Sequence, residues 1–160
     1  MKRIGVLSDT HISRAALDLP RVVYKEFEKV DLILHAGDLV EMSVVDKLKK
    51  IAETRAVHGN MDMADVKAAL PEKDVIRIGG FTIGLIHGYG SPVCLIETVS
   101  KKFKKVDAIV FGHSHAAINL VFGGRLLFNP GSPTDKVFAS FTSFGIIEVG
   151  KKITGRIIRI

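Results

Sequence analysis

The sequence predicts an α/β protein in which two mixed β-sheets pack together and carry helices on their outer faces. Three observations support this fold class. The first half of the chain alternates short apolar runs with amphipathic segments, which is typical of parallel βαβ units. The second half consists mainly of strand-like runs, several of them separated by glycine-containing turns that favour hairpins. The 160 residues contain no low-complexity segment, repeat or long linker, so we expect one domain over residues 1–160.

The first βαβ unit is predicted within residues 2–35. Residues 2–7 and 31–35 are short apolar runs that end in polar loops, as buried parallel strands do. Residues 15–29 carry apolar side chains near helical spacing. Pro20 suits the first turn of that helix because its φ angle is fixed near the helical value.

A second helix, a third strand and a short helix follow. Residues 43–52 show an apolar stripe at helical spacing with charged side chains on the other face. Residues 55–57 form a short β-prone run. After Asp62, which we expect to cap the next helix, a helical pattern extends to Leu70. Pro71 ends it, because proline disfavours helical geometry in the residue before it.

The second half of the chain is rich in strands. One helix, predicted at residues 92–104, interrupts them. Gly-Gly and Gly-Lys pairs separate several of the runs, as expected for hairpins. The predicted strands are residues 75–78, 81–86, 107–111, 118–122, 125–128, 144–149 and 153–158.

The net charge of +6 favours anionic partners, which include phosphate esters and nucleic acids. We expect the lysines of residues 101–105 to lie at the solvated end of a helix. Residues 151–159 carry a second basic cluster. Only one aromatic residue, Phe103, lies within the first cluster, so the stacking platforms of single-strand binders are missing and nucleic acid is not the favoured partner.

The single cysteine, Cys94, excludes an intrachain disulfide, which agrees with a cytoplasmic location. We expect Cys94 to be buried as a small apolar core residue. No apolar run approaches the roughly 20 residues that a membrane-spanning helix needs, so a membrane span is excluded.

Six short polar motifs interrupt the apolar runs, most of them at the end of a predicted strand. Five of them supply carboxylate, imidazole and amide groups, which are ligands of divalent metal ions. The motifs are Asp9-Thr10-His11, Gly37-Asp38, Gly59-Asn60, His87-Gly88, Gly112-His113-Ser114-His115 and Asn129-Pro130-Gly131-Ser132. We expect the last to form a tight turn that supports the histidine loop.

These side chains predict a centre for two metal ions. Asp9 and His11 are two residues apart, which places them on one face of an extended strand. Asp38 has two carboxylate oxygens and can bind both ions, and Gly37 lets the backbone approach closely. Asn60 offers a neutral carbonyl oxygen. The imidazole ligands are completed by His87, His113 and His115.

The predicted chemistry is hydrolysis of a phosphate ester. Two ions about 3.5–4 Å apart activate a bridging water for in-line attack on phosphorus, so no protein nucleophile is needed. The metal ligands Asp38 and Asn60 would act in catalysis, and His58 or water would protonate the leaving group. His58 could instead face solvent or support a metal ligand. Arg14 could contact the phosphate of a substrate, or it could be a solvated residue at the start of a helix. His35 is expected to support a ligand or to pack in the core.

The ordered motifs resemble those of the calcineurin-like metallophosphoesterases, and are most similar to those of the small one-domain bacterial and archaeal phosphodiesterases. The resemblance covers residues 7–158. It implies a four-layer αββα sandwich and two divalent ions, with Mn²⁺ first and Ni²⁺, Fe²⁺, Co²⁺ or Zn²⁺ as alternatives. One ion would be held by Asp9, His11, Asp38 and His115, and the other by Asp38, Asn60, His87 and His113.

One position departs from the wider family. Many related phosphatases follow the asparagine with a histidine that protonates the leaving group, whereas this chain has Met61. The resemblance therefore implies a phosphodiesterase that hydrolyses monoesters with poor leaving groups inefficiently. Two alternatives stay open: a scaffold of the same fold, similar to a retromer subunit, and a single-strand nuclease. The expected partner is a small phosphate ester, and a homo-oligomer is left open.

Overall fold

The computed structural model of the protein describes residues 1–13 and 18–160, and these form two five-stranded mixed sheets flanked by helices. In the first sheet the strand order is β10-β9-β1-β2-β3, with β1, β2 and β3 parallel and β9 antiparallel to β1. Its strands are β1 (Lys2–Leu7), β2 (Leu32–His35), β3 (Glu53–Ala56), β9 (Ser143–Val149) and β10 (Ile153–Arg159).

The second sheet has the order β4-β5-β6-β8-β7. Its three central strands β5, β6 and β8 are parallel, while β4 and β7 pair antiparallel at the edges. Its strands are β4 (Lys73–Ile78), β5 (Phe81–Ile86), β6 (Ala108–Val110), β7 (Ile118–Phe122) and β8 (Arg125–Asn129).

Three apolar clusters separate four layers. Ile4, Leu85 and Phe128 belong to the cluster between the two sheets, where side chains from both inner faces meet. On the outer face of the first sheet, Phe27 packs in a cluster supplied by helices α1, α2 and α3. The outer face of the second sheet is covered by α4. The helices are α1 (Arg21–Phe27), α2 (Ser43–Lys49), α3 (Ala64–Ala69) and α4 (Leu95–Ser100). The predicted αββα sandwich is therefore confirmed.

Three predicted helices are shorter than expected, and one of them, predicted at residues 43–52, ends at Lys49. The helix predicted at residues 15–29 begins at Arg21, with Pro20 at its N-cap, because Pro20 keeps Leu19 out of helical geometry. Residues 14–17, including Arg14, lie outside the described residues. The helix predicted at residues 92–104 is a 3₁₀ turn (Pro92–Cys94) followed by α4, which ends at Ser100, so the whole lysine cluster of residues 101–105 lies beyond the helix.

Cys94 is exposed, and the prediction of a buried core cysteine is wrong. The residue ends the 3₁₀ turn, next to Val93, which also faces solvent. Leu95 and Val99, one helical turn apart, take the inward positions against the second sheet. None of the helices formed by residues 1–13 and 18–160 is long and apolar enough to span a membrane.

Candidate metal centre

The predicted ligands lie at the carboxyl ends of parallel strands from both sheets. This edge is where α/β proteins generally place their sites, because the loops that leave the strand ends converge there. Asp9 and His11 follow β1, Asp38 follows β2, Asn60 follows β3, His87 follows β5, and His113 and His115 follow β6.

The backbone at these loops is unusual. Five of the seven predicted ligands have a positive φ angle, a conformation that costs energy for residues with a side chain. Asp9, His11, Asp38, His113 and His115 have φ angles of 53°, 45°, 55°, 71° and 57°. Left-handed turns, and not the strand alternation expected from the sequence, therefore bring Asp9 and His11 together.

A first group of ligand atoms forms around Asp9. His115 Nε2 lies 3.3 Å from Asp9 Oδ1 and 3.3 Å from His11 Nε2. Asp9 Oδ2 accepts hydrogen bonds from Ser8 Oγ and from the backbone N–H of His113. Asp9 Oδ1 is buried and, among the described residues, accepts no hydrogen bond. A buried carboxylate oxygen in that position favours a cation.

A second group forms around His87. Its Nε2 lies 3.3 Å from Asp38 Oδ2 and 3.1 Å from Asn60 Oδ1. His113 Nδ1 lies 3.2 Å from the same Asn60 oxygen. Asp38 Oδ2 is also 3.7 Å from His11 Nε2, so this oxygen lies between the two groups. All seven predicted ligands are thus brought together.

Hydrogen bonds on the far side of three histidine rings fix their orientation. Each partner is a carbonyl or carboxylate oxygen, which only accepts, so the nitrogen facing it carries the proton. In the neutral ring the other nitrogen then presents its lone pair to the centre. The pairs are His87 Nδ1 with Ala36 O at 2.7 Å, His113 Nε2 with Gly90 O at 2.9 Å, and His115 Nδ1 with Asp135 Oδ2 at 2.5 Å.

The centre favours positive charge. The carboxylate of Asp9 raises the pKa of His115 to about 9, in spite of burial and with help from Asp135. Burial lowers the pKa of His87, but Asp38 and Asp9 outweigh it and raise the value overall. Imidazole, carboxylate and amide ligands together suit first-row divalent metals, so the residues present fit such ions.

Asp62 does not cap α3 as expected, because the N-cap position is occupied by Met63. The buried Asp62 carboxylate instead accepts three backbone hydrogen bonds. The donors are the N–H groups of Asp38 at 3.0 Å, Gly59 at 2.7 Å and Val40 at 2.5 Å. Asp62 therefore ties together the loops that carry Asp38 and Asn60.

Asp135 is a site residue that the sequence analysis missed. Besides its contact with His115, its carboxylate accepts hydrogen bonds from the N–H groups of Val137, Phe138 and Ala139. Burial raises the pKa of Asp135, but the hydrogen bond with His115, followed by those from the N–H groups of Phe138 and Val137, outweighs it and holds the value at about 2. Asp135 is ionised at neutral pH and orients His115.

Other predicted residues surround the centre. Gly37 N–H donates to His35 Nδ1 at 3.2 Å, and His35 Nε2 lies 3.1 Å from Thr10 Oγ1. Burial lowers the pKa of His35 to about 4, so the ring is neutral and supports both loops. Asn129 Nδ2 donates to Gly112 O at 2.9 Å, which confirms the predicted support of the histidine loop. His58 lines a neighbouring groove with Asn60 and His87.

Comparisons with known proteins identify relatives of the chain. The family model described as the calcineurin-like phosphoesterase superfamily domain matches residues 1–152. A probable metallophosphoesterase of Methanocaldococcus jannaschii is 41% identical over 134 residues, covering 82% of this chain and 68% of that protein. A probable metallophosphoesterase of Methanothermobacter thermautotrophicus is 34% identical over 160 residues, covering 98% of this chain and 91% of that protein. A phosphodiesterase of M. jannaschii is 24% identical over 162 residues, covering 94% of this chain and 95% of that protein.

A solved structure shares the fold. The crystal structure of wild-type Vps29 from Entamoeba histolytica complexed with Zn²⁺ has a TM-score of 0.74, 24% identity and 98% coverage of each chain. At that identity the likeness shows the fold alone. The family match extends over most of this chain, and the two probable metallophosphoesterases match at 41% and 34% identity. The chain therefore belongs to the calcineurin-like phosphoesterase superfamily.

Proposed function

We propose that the protein is a phosphodiesterase that uses two divalent metal ions, with Mn²⁺ as the first candidate. The observation that carries this proposal is the convergence of two carboxylates, an amide oxygen and oriented imidazole nitrogens on one space at the sheet edge. When the rings of His87, His113 and His115 are neutral, the nitrogens that face this space point lone pairs toward carboxylate or amide oxygens, an arrangement that a cation stabilises. The relative named as a phosphodiesterase supports the reaction class.

Each ion would have its own set of ligands. We assign Asp9, His11, Asp38 and His115 to one ion, and Asp38, Asn60, His87 and His113 to the other. Asp38 Oδ1 accepts a hydrogen bond from the N–H of Met61 at 2.8 Å, while Oδ2 faces the rings of His11 and His87. Oδ2 is thus the Asp38 oxygen that faces the candidate ligands and would hold a metal ion, while Oδ1 is engaged by the backbone.

Two bound divalent ions supply an activated water nucleophile and polarise the phosphoryl oxygens. The protein residues set the geometry of this chemistry. Asp38 would fix the spacing between the two ions. His35 and Asp62 hold the loops around Asp38, and Asp135 holds the His115 ring. We assign His58, in the groove beside Asn60, as a candidate proton donor to the leaving group, with water as the alternative.

The test is hydrolysis of a panel of phosphate monoesters and diesters by protein loaded with Mn²⁺, Ni²⁺, Fe²⁺, Co²⁺ or Zn²⁺. We expect Mn²⁺ or Ni²⁺ to support turnover of aryl diesters and a strong chelator to abolish it, because the ions provide the nucleophile. Adding back metal should restore activity. Absence of turnover with every metal, or turnover that survives chelation, contradicts the proposal.

A scaffold of the same fold is the alternative, and the Vps29 likeness favours it at the level of the fold. It predicts metal binding without turnover of any ester in the panel. We further propose that residues 1–160 form one domain, that the protein acts in the cytoplasm, and that its substrate is a small phosphate ester in preference to nucleic acid.

A further inference from the structure

A groove of about 340 Å³ opens beside the candidate metal centre. The predicted ligands His11 and His115 form one side, so the groove is continuous with the place where a phosphate would lie. Met61 and Phe138 form the apolar part of its lining. The volume is within the range of small-molecule sites and accommodates an aromatic ring next to a phosphate.

Met61 and Phe138 are unusually exposed for apolar side chains. Met61 is 59% exposed and Phe138 is 86% exposed. Single exposed apolar residues are common, but here two large ones share a groove that adjoins a cluster of charged groups. Apolar surface of this kind, rimmed by polar residues, is typical of a binding site.

The loop that carries Phe138 is fixed to the metal centre. The N–H groups of Val137 and Phe138 donate to Asp135 Oδ1 at 2.8 and 2.9 Å, and Asp135 Oδ2 contacts His115. One carboxylate therefore orients a predicted ligand and the backbone of Phe138 together.

Two hydroxyl groups attach the same loop to the loop of Asp9. Ser132 Oγ donates to Asp9 O at 2.7 Å, and Thr134 Oγ1 donates to Thr10 O at 2.7 Å. The position of the Phe138 backbone relative to the ligands is thus set by hydrogen bonds at both ends of residues 132–135.

We propose that Met61 and Phe138 seat a flat aromatic ring of the substrate, either the aryl group of an ester or a nucleobase. This inference rests on the proposed function. An aromatic ring packs favourably on the phenyl ring of Phe138, and the polarisable sulfur of Met61 adds a favourable contact with its edge. The side of the groove that His11 and His115 form would hold the phosphate group of the same substrate.

The groove also agrees with the chemistry of an aryl ester. Neither Met61 nor Phe138 can donate a proton. Water oxygen bonds to phosphorus and gives up a proton to solvent, the bond between phosphorus and the aryl oxygen breaks, and the aryloxide leaves with the electron pair. The aryloxide is a weak base compared with an alkoxide and takes its proton from solvent afterwards, so an apolar wall at this position does not block the reaction.

Calorimetric titration of the Mn²⁺-loaded protein with two matched pairs of ligands tests the inference. Phenylphosphonate and methylphosphonate share a metal-binding head and differ in the ring. Adenosine 5′-monophosphate and ribose 5-phosphate differ in the base. In one of the two pairs, we expect the aromatic member to bind about tenfold more tightly than the non-aromatic member. That pair shows whether the ring is the aryl group of an ester or a nucleobase.

Variants connect the preference to the groove. We expect Phe138→Ala and Met61→Ala to remove most of the tenfold preference while binding of the non-aromatic member changes less than twofold. Val137→Ala is the control, because Val137 is 80% exposed on the same loop but does not line the groove. Val137→Ala should keep the preference.

The outcomes separate this inference from the proposed function. Equal affinity within both pairs, or equal losses in Phe138→Ala and Val137→Ala, overturns the groove assignment and leaves the metal-dependent function standing. If neither head group binds the loaded protein, the metal-dependent function and the groove assignment are overturned together.

Discussion

Replacement of Asp38 by alanine should abolish ester hydrolysis by the metal-loaded protein. Asp38 Oδ2 lies 3.3 Å from His87 Nε2 and 3.7 Å from His11 Nε2, between the two groups of candidate ligands. Asp38 would hold both proposed ions, so both would lose a ligand without this carboxylate. The measurement is turnover of an aryl diester at saturating Mn²⁺, with bound metal determined on the same sample.

His35→Ala is the matched control for this variant. Both residues are buried next to the same loop, but the hydrogen bonds of the His35 ring go to Thr10 Oγ1 and the Gly37 N–H and not to a candidate metal ligand in the described residues. Loss of a residue that supports a ligand typically costs about 10- to 100-fold, and we expect His35→Ala to keep at least about a tenth of the activity. Comparable loss in two variants that are both folded by circular dichroism would contradict the different roles assigned to them.

Met61→His should raise the turnover of phosphate monoesters and bring it closer to the turnover of diesters. Wild-type protein is expected to cleave diesters with good leaving groups better than monoesters, since Met61 offers no proton. Met61 lines the groove beside His11 and His115, so an imidazole at this position is close to a leaving group. A positioned acid contributes about 10²- to 10⁴-fold, and we expect a gain of at least about tenfold in kcat/KM for alkyl monoesters.

Met61→Leu provides the control for this gain, because leucine keeps the apolar character and cannot donate a proton. It should not raise the turnover of alkyl monoesters, which have no ring to contact Met61. A wild-type protein that prefers alkyl monoesters over aryl diesters would show that another group already protonates the leaving oxygen. The interpretation of Met61 would then be wrong.

The fold was predictable from the sequence because local patterns and topology agree. The runs at residues 2–7 and 81–86 have the same bounds as β1 and β5, since buried strands require continuous apolar residues. The ligand motifs follow parallel strands, and parallel strand ends meet at one edge. The proximity of Asp9, Asp38 and His87 is therefore a consequence of where their motifs stand in the sequence.

The supporting contacts could not be predicted, because they join residues far apart in the chain. Asp62 precedes a helix, which favours a cap, yet three backbone N–H groups of neighbouring loops bind its carboxylate. Asp135 is 20 residues from His115 in sequence. No local periodicity indicates that pairing. The left-handed backbone at Asp9 and His11 likewise depends on the pairing of two loops.

The most direct test of the two-metal centre is elemental analysis of the purified protein after Mn²⁺ loading and removal of free metal. The account predicts two Mn²⁺ ions per chain in the wild type and fewer than one in Asp38→Ala, with a higher melting temperature for the loaded wild type because ions that bind only the folded state stabilise it. A wild-type protein that holds no metal, or the same amount as Asp38→Ala, would contradict the account.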